Sequence, residues 1–339
     1  MSEFLAFETI VEPNFANLAA KDFLARRFKL SRSRIKAIRL RGALFINGQK
    51  RRMIDRVKAG DHLRAVCPDL SSPELRLDAL ASSGAEIAYQ DPWLLVIRKP
   101  AGILVHPSYQ EDYALTTLIS AQSLHPIRRL DKDTSGLVPI GLNPHVHEQL
   151  QGQKSIKAYR VLVHGRLPQS SITIRNGIQR NPLRSIQRIA GGEENLAISH
   201  FREWAYFPKV DVSLLDVQLE SGRTHQIRAH ALYLGLPLLG DWLYGRSALD
   251  SVLQPNYSFY SLEARLRLEQ LRCDHFLPQE AEFHFTRQAL DADYLEFTNP
   301  YDAKLIKLSS DWPDDFKAFF ARYELEPGPR PERLYFNPA

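Results

Sequence analysis

The sequence is short of the residues on which several kinds of protein depend. Only two of its 339 residues are cysteines, Cys67 and Cys273, far apart and in no Cys-x-x-Cys pair. A disulfide framework and a cysteine-built zinc site are both excluded, and reduced thiols in a cytoplasmic setting are expected. No apolar run has the length of a membrane span. The N-terminus, MSEFLAFETIVEPN, has no basic stretch ahead of an apolar one, so no secretory signal is expected. A dinucleotide-type glycine fingerprint, a phosphate-binding loop and a serine-hydrolase elbow are missing too. His145-Val146-His147-Glu148 does not make up for these gaps. Histidines two apart on a helix point to different sides, and His225 and His230, five apart, chelate no better. No metal and no cofactor is expected.

What is present is unevenly spread charge. The formal net charge is only +5, yet residues 20–52 hold 12 Lys/Arg against one acid, Asp22, while the remainder has 32 against 38. A polyanion-binding module joined to a near-neutral body fits that asymmetry. At 44% hydrophobic and 24% charged residues the chain is ordinary for a globular protein, and its length suits two domains. A solitary monomer is the expectation, with no membrane and no protein partner.

The basic segment has a pattern of its own. Ala20, Phe23, Leu24 and Phe28 make a helical stripe, leaving Arg26, Arg27 and Lys29 for solvent. Ser31 or Ser33 can cap a second helix with Ile35 and Ile38 inward and Lys36 and Arg39 outward, which Gly42 ends. Ala43–Ile46 reads as a strand entering an Asn47-Gly48 turn, and His62–Val66 as its later partner. Residues 68–84, rich in Pro and Ser, read as a linker.

In the body, residues 128–136 read Arg-Arg-Leu-Asp-Lys-Asp-Thr-Ser-Gly. A carboxylate, Asp131, stands there among cations, just ahead of an apolar run. Buried and paired with a cation, such a group serves as nucleophile or base; the plain alternative is a loop ion pair. Asp133-Thr134-Ser135-Gly136 is one residue off an aspartic-protease motif and has no second copy. Tyr159, Val161 and Val163 alternate with polar neighbours as in a strand, so Tyr159 could be core. Residues 166–200, with Asn176-Gly177 and Gly191-Gly192 as turns and Arg180, Arg184 and Arg188 spaced four apart, read as an irregular excursion. After a strand at Val212–Leu219, Thr224 is placed to cap a helix along which Arg228, beside the apolar stripe, needs an acid partner.

Taken together, RLDKDTSG at 129–136, KAYRVLVHG at 157–165 and SGRTHQIRAHALYLGLPLLGDWLYG at 221–245 resemble the RluA-type family of RNA pseudouridine synthases. Lys99-Pro100-Ala101-Gly102 and His106-Pro107 fit as well, and the likeness runs from about Glu86 to about Pro300. Residues 16–66 resemble the small RNA-binding domain shared by a small-subunit ribosomal protein and tyrosyl-tRNA synthetases. The resemblance implies an α+β fold, a mixed, largely antiparallel sheet with a cleft across its centre. Its boundaries are a small RNA-binding domain at 16–67, a linker at 68–84, a catalytic domain at 85–305 that folds without the small one, and an extension at 306–339.

It further implies Asp131 as nucleophile, Arg228 pairing it, and Tyr159 stacking on the flipped base and helping remove its carbon-bound proton. Arg129 would fill the vacated stack. Lys157, Arg223, His225, Lys36 and Arg39 are the other expected RNA contacts, with ribosomal RNA favoured over transfer RNA. A catalytically idle RNA-binding or RNA-remodelling protein on the same fold is the alternative, against which Asp131, Tyr159 and Arg228 speak. Two positions depart from the family: Arg128, where histidine is common, and Glu263, where histidine often follows the leucine.

Overall fold

The computed structural model describes residues 4–182, 186–245, 249, 260–273 and 284–331. The smaller of its two sheets has the order β1-β4-β2-β3, made of Phe4–Ile10 (β1), Ala43–Ile46 (β2), Gln49–Lys50 (β3) and His62–Ser71 (β4). Helices Ala20–Arg27 (α1) and Arg32–Arg41 (α2) go with it, burying Phe23, Leu24 and Ile38. The Ser31 hydroxyl caps α2, accepting from the Arg34 N–H at 3.3 Å. Asn47 and Gly48, at φ 52° and 75°, supply the two left-handed residues that a tight hairpin requires.

The larger sheet has eleven strands. Its strands are Glu86–Gln90 (β5), Leu94–Lys99 (β6), His125–Pro126 (β7), Ser135–Gly141 (β8), Ile156–His164 (β9) and Ser171–Arg180 (β10). Then follow Arg188–Ala190 (β11), Leu196–Phe207 (β12), Val212–Leu219 (β13), Leu290–Thr298 (β14) and Leu305–Ser309 (β15). The main path is β11-β10-β12-β13-β9-β14-β8-β6-β5, with β15 on β14 and β7 on β8. Only the β8–β14 pairing is parallel among the described strands, so the α+β, largely antiparallel expectation holds. That one parallel contact explains Gly136. Its φ is +115°, and a Cβ there would sit 2.3 Å from the Ala292 carbonyl oxygen.

Several boundaries differ from the sequence reading. Residues 166–200 are not an irregular excursion: the described ones include β10, β11 and the start of β12, and Asn176-Gly177 lies inside β10, not at a turn. Gly177 is there for closeness: a Cβ would meet the Glu194 carbonyl at 2.2 Å. Arg180 and Arg188 face each other across β10 and β11, while Arg184 lies outside the described residues. The segment 68–84 is no free linker, since β4 runs to Ser71 and a short helix, Leu77–Ser82 (α3), buries Leu80. Residues 306–323 belong to the body: β15 pairs with β14, and the helix Asp314–Tyr323 buries Phe316, Phe319 and Phe320. Of the Pro-rich tail, residues 332–339 lie outside the described residues.

The small sheet also reaches further than 16–67 and is fused to the body. β1 adds Phe7, fully buried against Phe28 of its own module and Trp93, His145 and Tyr301 of the body. Ring centroids lie 5.0 Å apart for Phe7–Trp93 and 4.1 Å for Trp93–Tyr301, both stacked. Arg27 closes the seam, its Nη1 donating to the Pro300 carbonyl at 2.8 Å and its Nε to Glu12 at 2.8 Å. One hydrophobic cluster thus runs from Leu5, Phe23 and Ile38 through to Leu137, Leu150 and Phe297. Removing residues 1–67 would strip the cover from this core, so a freely folding truncated body is not what this packing supports. Phe7→Ala should therefore cost about 3–5 kcal/mol and lower the denaturant midpoint of the whole chain. Trp fluorescence, which reports the body, and far-UV circular dichroism should still coincide in one transition. Two separated transitions in the parent protein would show that the modules fold independently.

Candidate active site

Asp131 sits in the loop between β7 and β8, and that loop is tied down from three sides. The Asp131 carbonyl accepts from the Thr134 N–H at 3.1 Å, closing a turn. Next to it, the Lys132 carbonyl accepts from the Gly102 N–H at 3.0 Å and from Lys99 Nζ at 2.8 Å. Lys99 is fully buried, its ammonium also donating to the carbonyls of Pro100 and Ile103 at 2.8 and 2.9 Å. Burial pulls its pKa down to about 7, with the Arg287 charge adding to the effect. From the far side Arg287 Nη1 donates to the Asp133 carbonyl at 3.1 Å.

The carboxylate of Asp131 meets the helix Gln226–Tyr233 (α6), which follows β13. Arg228 Nη1 donates to Asp131 Oδ2 at 2.9 Å. The rest of the guanidinium is taken by Asp241, with Nε to Oδ2 at 2.6 Å and Nη2 to Oδ1 at 2.8 Å. Asp241 is itself fixed by the N–H groups of Leu243 and Tyr244, both 3.0 Å from Oδ1, and the Tyr244 ring centroid is 4.9 Å from the guanidinium carbon. Arg228 is 4% exposed and Asp241 1%, whereas the Asp131 side chain keeps 25% of its surface open. One face of Asp131 is held, and the other looks into a narrow pocket. Arg129, Tyr159, Arg223, His225 and Arg228 share that pocket with it.

The helix start departs from expectation. Thr224 is not the cap; α6 begins at Gln226, and His225 occupies the cap position at φ 56° without a capping side chain. Gln226 does the tying instead, its Oε1 accepting from the Arg223 N–H and the Ser221 hydroxyl, each at 3.0 Å. The left-handed turn carries the His225 ring toward Asp131, Nε2 to Oδ2 being 3.7 Å, with Nδ1 2.9 Å from the Tyr244 hydroxyl.

The likeness to known proteins follows the same elements. A family model described as RNA pseudouridylate synthase matches residues 93–233. The ribosomal large subunit pseudouridine synthase D of Pseudomonas aeruginosa is 31% identical over 304 residues, 84% of this chain and 85% of its own. The protein of the same name from Buchnera aphidicola is 29% identical over 322 residues, 89% and 93% of the two chains. The chain belongs to the RluA-type RNA pseudouridine synthases. The solved human RNA pseudouridylate synthase domain containing 4 shares the fold, with a TM-score of 0.53 and 22% identity over 74% of this chain and 97% of that one.

The pseudouridine synthase is thus an isomerase acting on RNA, and its expected site residues fall into two groups. Asp131, Arg228, Tyr159, Arg129, Arg223 and His225 line one pocket, and Lys157 lines the cleft beside it, with Arg129 and Tyr159 on the shared wall. Lys36 and Arg39 are elsewhere. They line a groove of the small module with Lys21, Arg32, Arg51 and Arg52, a cationic surface. The departure at Glu263 is an exposed residue paired with Arg267 at 2.7 Å. Arg128 is half-buried and donates to the Ser155 hydroxyl.

Burial sets the protonation of the pocket. It raises the Tyr159 hydroxyl to about 12, the Arg128 charge opposing and the Asp131 charge assisting. It lowers His225 to about 4 despite the Asp131 charge, so the imidazole is neutral at physiological pH and its approach to Asp131 is no ion pair. On Arg228, burial opposes the charge, but the hydrogen bonds and charge of Asp241 and the charge of Asp131 outweigh it, and its pKa is raised. Asp241, Tyr244 and Lys99 lie within the motifs that carry the resemblance, but the sequence reading assigned none of them an individual role. The signal for Asp241 lay in the demand of Arg228 for an acid and in the Gly240-Asp241 pair that follows the helix.

Asp241→Asn should leave Arg228 buried and half-paired, costing about 3–5 kcal/mol of stability and most of the activity. Thermal melting beside turnover checks this, and parental values in both would remove Asp241 from the supporting role. Two buried histidines, His145 and His230, and the half-buried His225 are lowered to about 4 from the ordinary 6.5, chiefly by desolvation. The unfolded chain then binds more protons than the folded one below about pH 6.5, so stability is full above that value and is lost as pH falls toward 4. Melting temperatures between pH 7.5 and 5 should fall steadily below about 6.5; a flat profile would contradict neutral burial.

Proposed function

We propose that this synthase isomerises a uridine of ribosomal RNA with Asp131 as the nucleophile. The observation that carries the reading is the half-open carboxylate, gripped on one face by a buried guanidinium and free toward a pocket that also holds Tyr159. Isomerisation breaks the bond from ribose C1′ to N1 of uracil, turns the base, and joins C1′ to C5. The C5 proton leaves and N1 gains one, so atoms and electrons balance within the nucleotide and solvent protons. Asp131 bonds to either the base ring or C1′, and its release regenerates the carboxylate. Arg228, bonded to two carboxylates, holds Asp131 in place through this cycle.

The target base must first leave its stack, at a cost on the order of a few kcal/mol. Arg129 is exposed at the pocket mouth and fills the vacated space; the Tyr159 ring receives the base. Tyr159 is protonated at neutral pH, so it acts on the C5 proton as a relay. Its hydroxyl passes its own proton to the freed Asp131 carboxylate as it takes the one from carbon. Ribosomal RNA is supported by the relatives named ribosomal large subunit pseudouridine synthase D. The cationic groove with Lys36 and Arg39 supplies a second RNA contact, in a chain working as a monomer in the cytoplasm.

Asp131→Asn should abolish pseudouridine formation on an unmodified ribosomal RNA transcript while RNA affinity stays within about threefold. Turnover within tenfold of the parent would take Asp131 out of the role. Tyr159→Phe keeps the ring and should bind RNA normally, yet lose about 100-fold or more in single-turnover rate. A stable variant with the parental rate would assign Tyr159 to stacking alone.

A further inference from the structure

Beside the Asp131 pocket, and sharing Arg129, Tyr159, Leu219 and Gly222 with it, lies a second pocket of about 600 Å3. Its polar wall is almost entirely basic. His125 comes from β7, Arg128 and Arg129 from the loop before β8, and Lys157 from β9. His147 comes from the helix Pro144–Gln151 (α5) and His106 from the loop after β6. No Asp or Glu is in the lining. Four separate parts of the chain therefore converge on one cavity, each bringing a cation or an imidazole.

The groups are not neutralised where they stand. The side chains of Arg129 and His147 make no hydrogen bond or ion pair among the described residues. Arg128 spends one terminal nitrogen on Ser155, while Nη1 is buried and has no partner. A buried donor without an acceptor costs free energy, so Arg128 is held in the wall at the expense of stability. The imidazoles feel one another: burial lowers the pKa of His125, and the charges of His147 and His106 lower it further. Like charges gathered in a concave site with no acid among them are held at a cost that a bound anion removes.

The substrate supplies that anion. A uridine seated against Asp131 remains bonded to a phosphate on each side, and the strand must leave through space that adjoins the pocket. We propose that the cavity lined by His106, His125, Arg128, Arg129, His147 and Lys157 binds a backbone phosphodiester next to the target uridine. This rests on the reading that the uridine enters the Asp131 pocket. Arg128 is this chain's own contribution, a fixed guanidinium where the family commonly has histidine. Its guanidinium, held by Ser155, adds positive charge to the wall of the cavity. The site positions the strand and carries no base information of its own.

The test uses the full chain and a short oligoadenylate with one central uridine, labelled for fluorescence anisotropy. A set of strands replaces one phosphodiester at a time by a neutral methylphosphonate. Lys157→Gln should weaken binding of the all-charged strand about fivefold or more and reduce the salt slope by about one. His147→Gln, the second variant, should act in the same direction, and both should melt with the parent. One neutral linkage beside the uridine should weaken the parent as the substitutions do and erase the gap between parent and variant. If every neutral linkage leaves that gap intact, the assignment is overturned. Pseudouridine formation on an unmodified ribosomal RNA transcript is scored separately. Coupling without conversion keeps the phosphate site and removes the catalytic reading; conversion without coupling removes the phosphate site and keeps the catalytic one.

Discussion

A guanidinium buried between two carboxylates is stable only while both stay where they are. Arg228 is in that position, with Asp241 taking two of its nitrogens and Asp131 a third. The division of labour follows from exposure. Asp241 is sealed and bonded to backbone N–H groups, so it anchors the cation, while Asp131 is partly open and is presented by it. Removing either acid leaves charge uncompensated in a place with little water, and the cost of burial makes the geometry obligatory. A carboxylate whose direction is set this way is already oriented before anything enters the pocket.

The scaffold serves that arrangement by backbone contact as much as by side chains. Asp131 lies at a loop whose exit, Gly136, presses against Ala292 of β14 in the sheet's parallel pairing. Lys99 draws carbonyls from two segments onto one ammonium and so pins the loop on its other side. The small module is no appendage to this frame. Phe7 and Phe28 on one side and Trp93 and Tyr301 on the other form one stack, which fixes the cationic groove relative to the sheet. The distance between that groove and the Asp131 pocket is therefore set by the protein.

What could be read from the sequence was mostly local. The helix stripe of Phe23 and Leu24, the Ser31 cap and the Asn47-Gly48 turn are short-range devices, and each stands where it was expected. The motif around Asp131 and the unmet need of Arg228 pointed to a shared pocket, because a semi-buried cation requires an acid. Long-range pairing was hidden. Residues 166–200 carry polar side chains and glycines that mimic loop composition, yet Gly177 is small because Glu194 crosses over it. Likewise Phe7 gave no sign of reaching Trp93, since a seven-residue strand with mixed burial does not say which core it joins. The left-handed His225 was beyond reach too, because its strain is set by the Gln226 ties on either side.

The most direct measurement is a transcriptome-wide pseudouridine map of three strains: one lacking the chain, one restored with the parent, and one restored with Asp131→Asn at equal abundance. The account predicts that specific ribosomal RNA positions read as uridine in the first strain, as pseudouridine in the second, and as uridine again in the third. An identical map in all three strains would contradict it, as would full modification in the strain with Asp131→Asn.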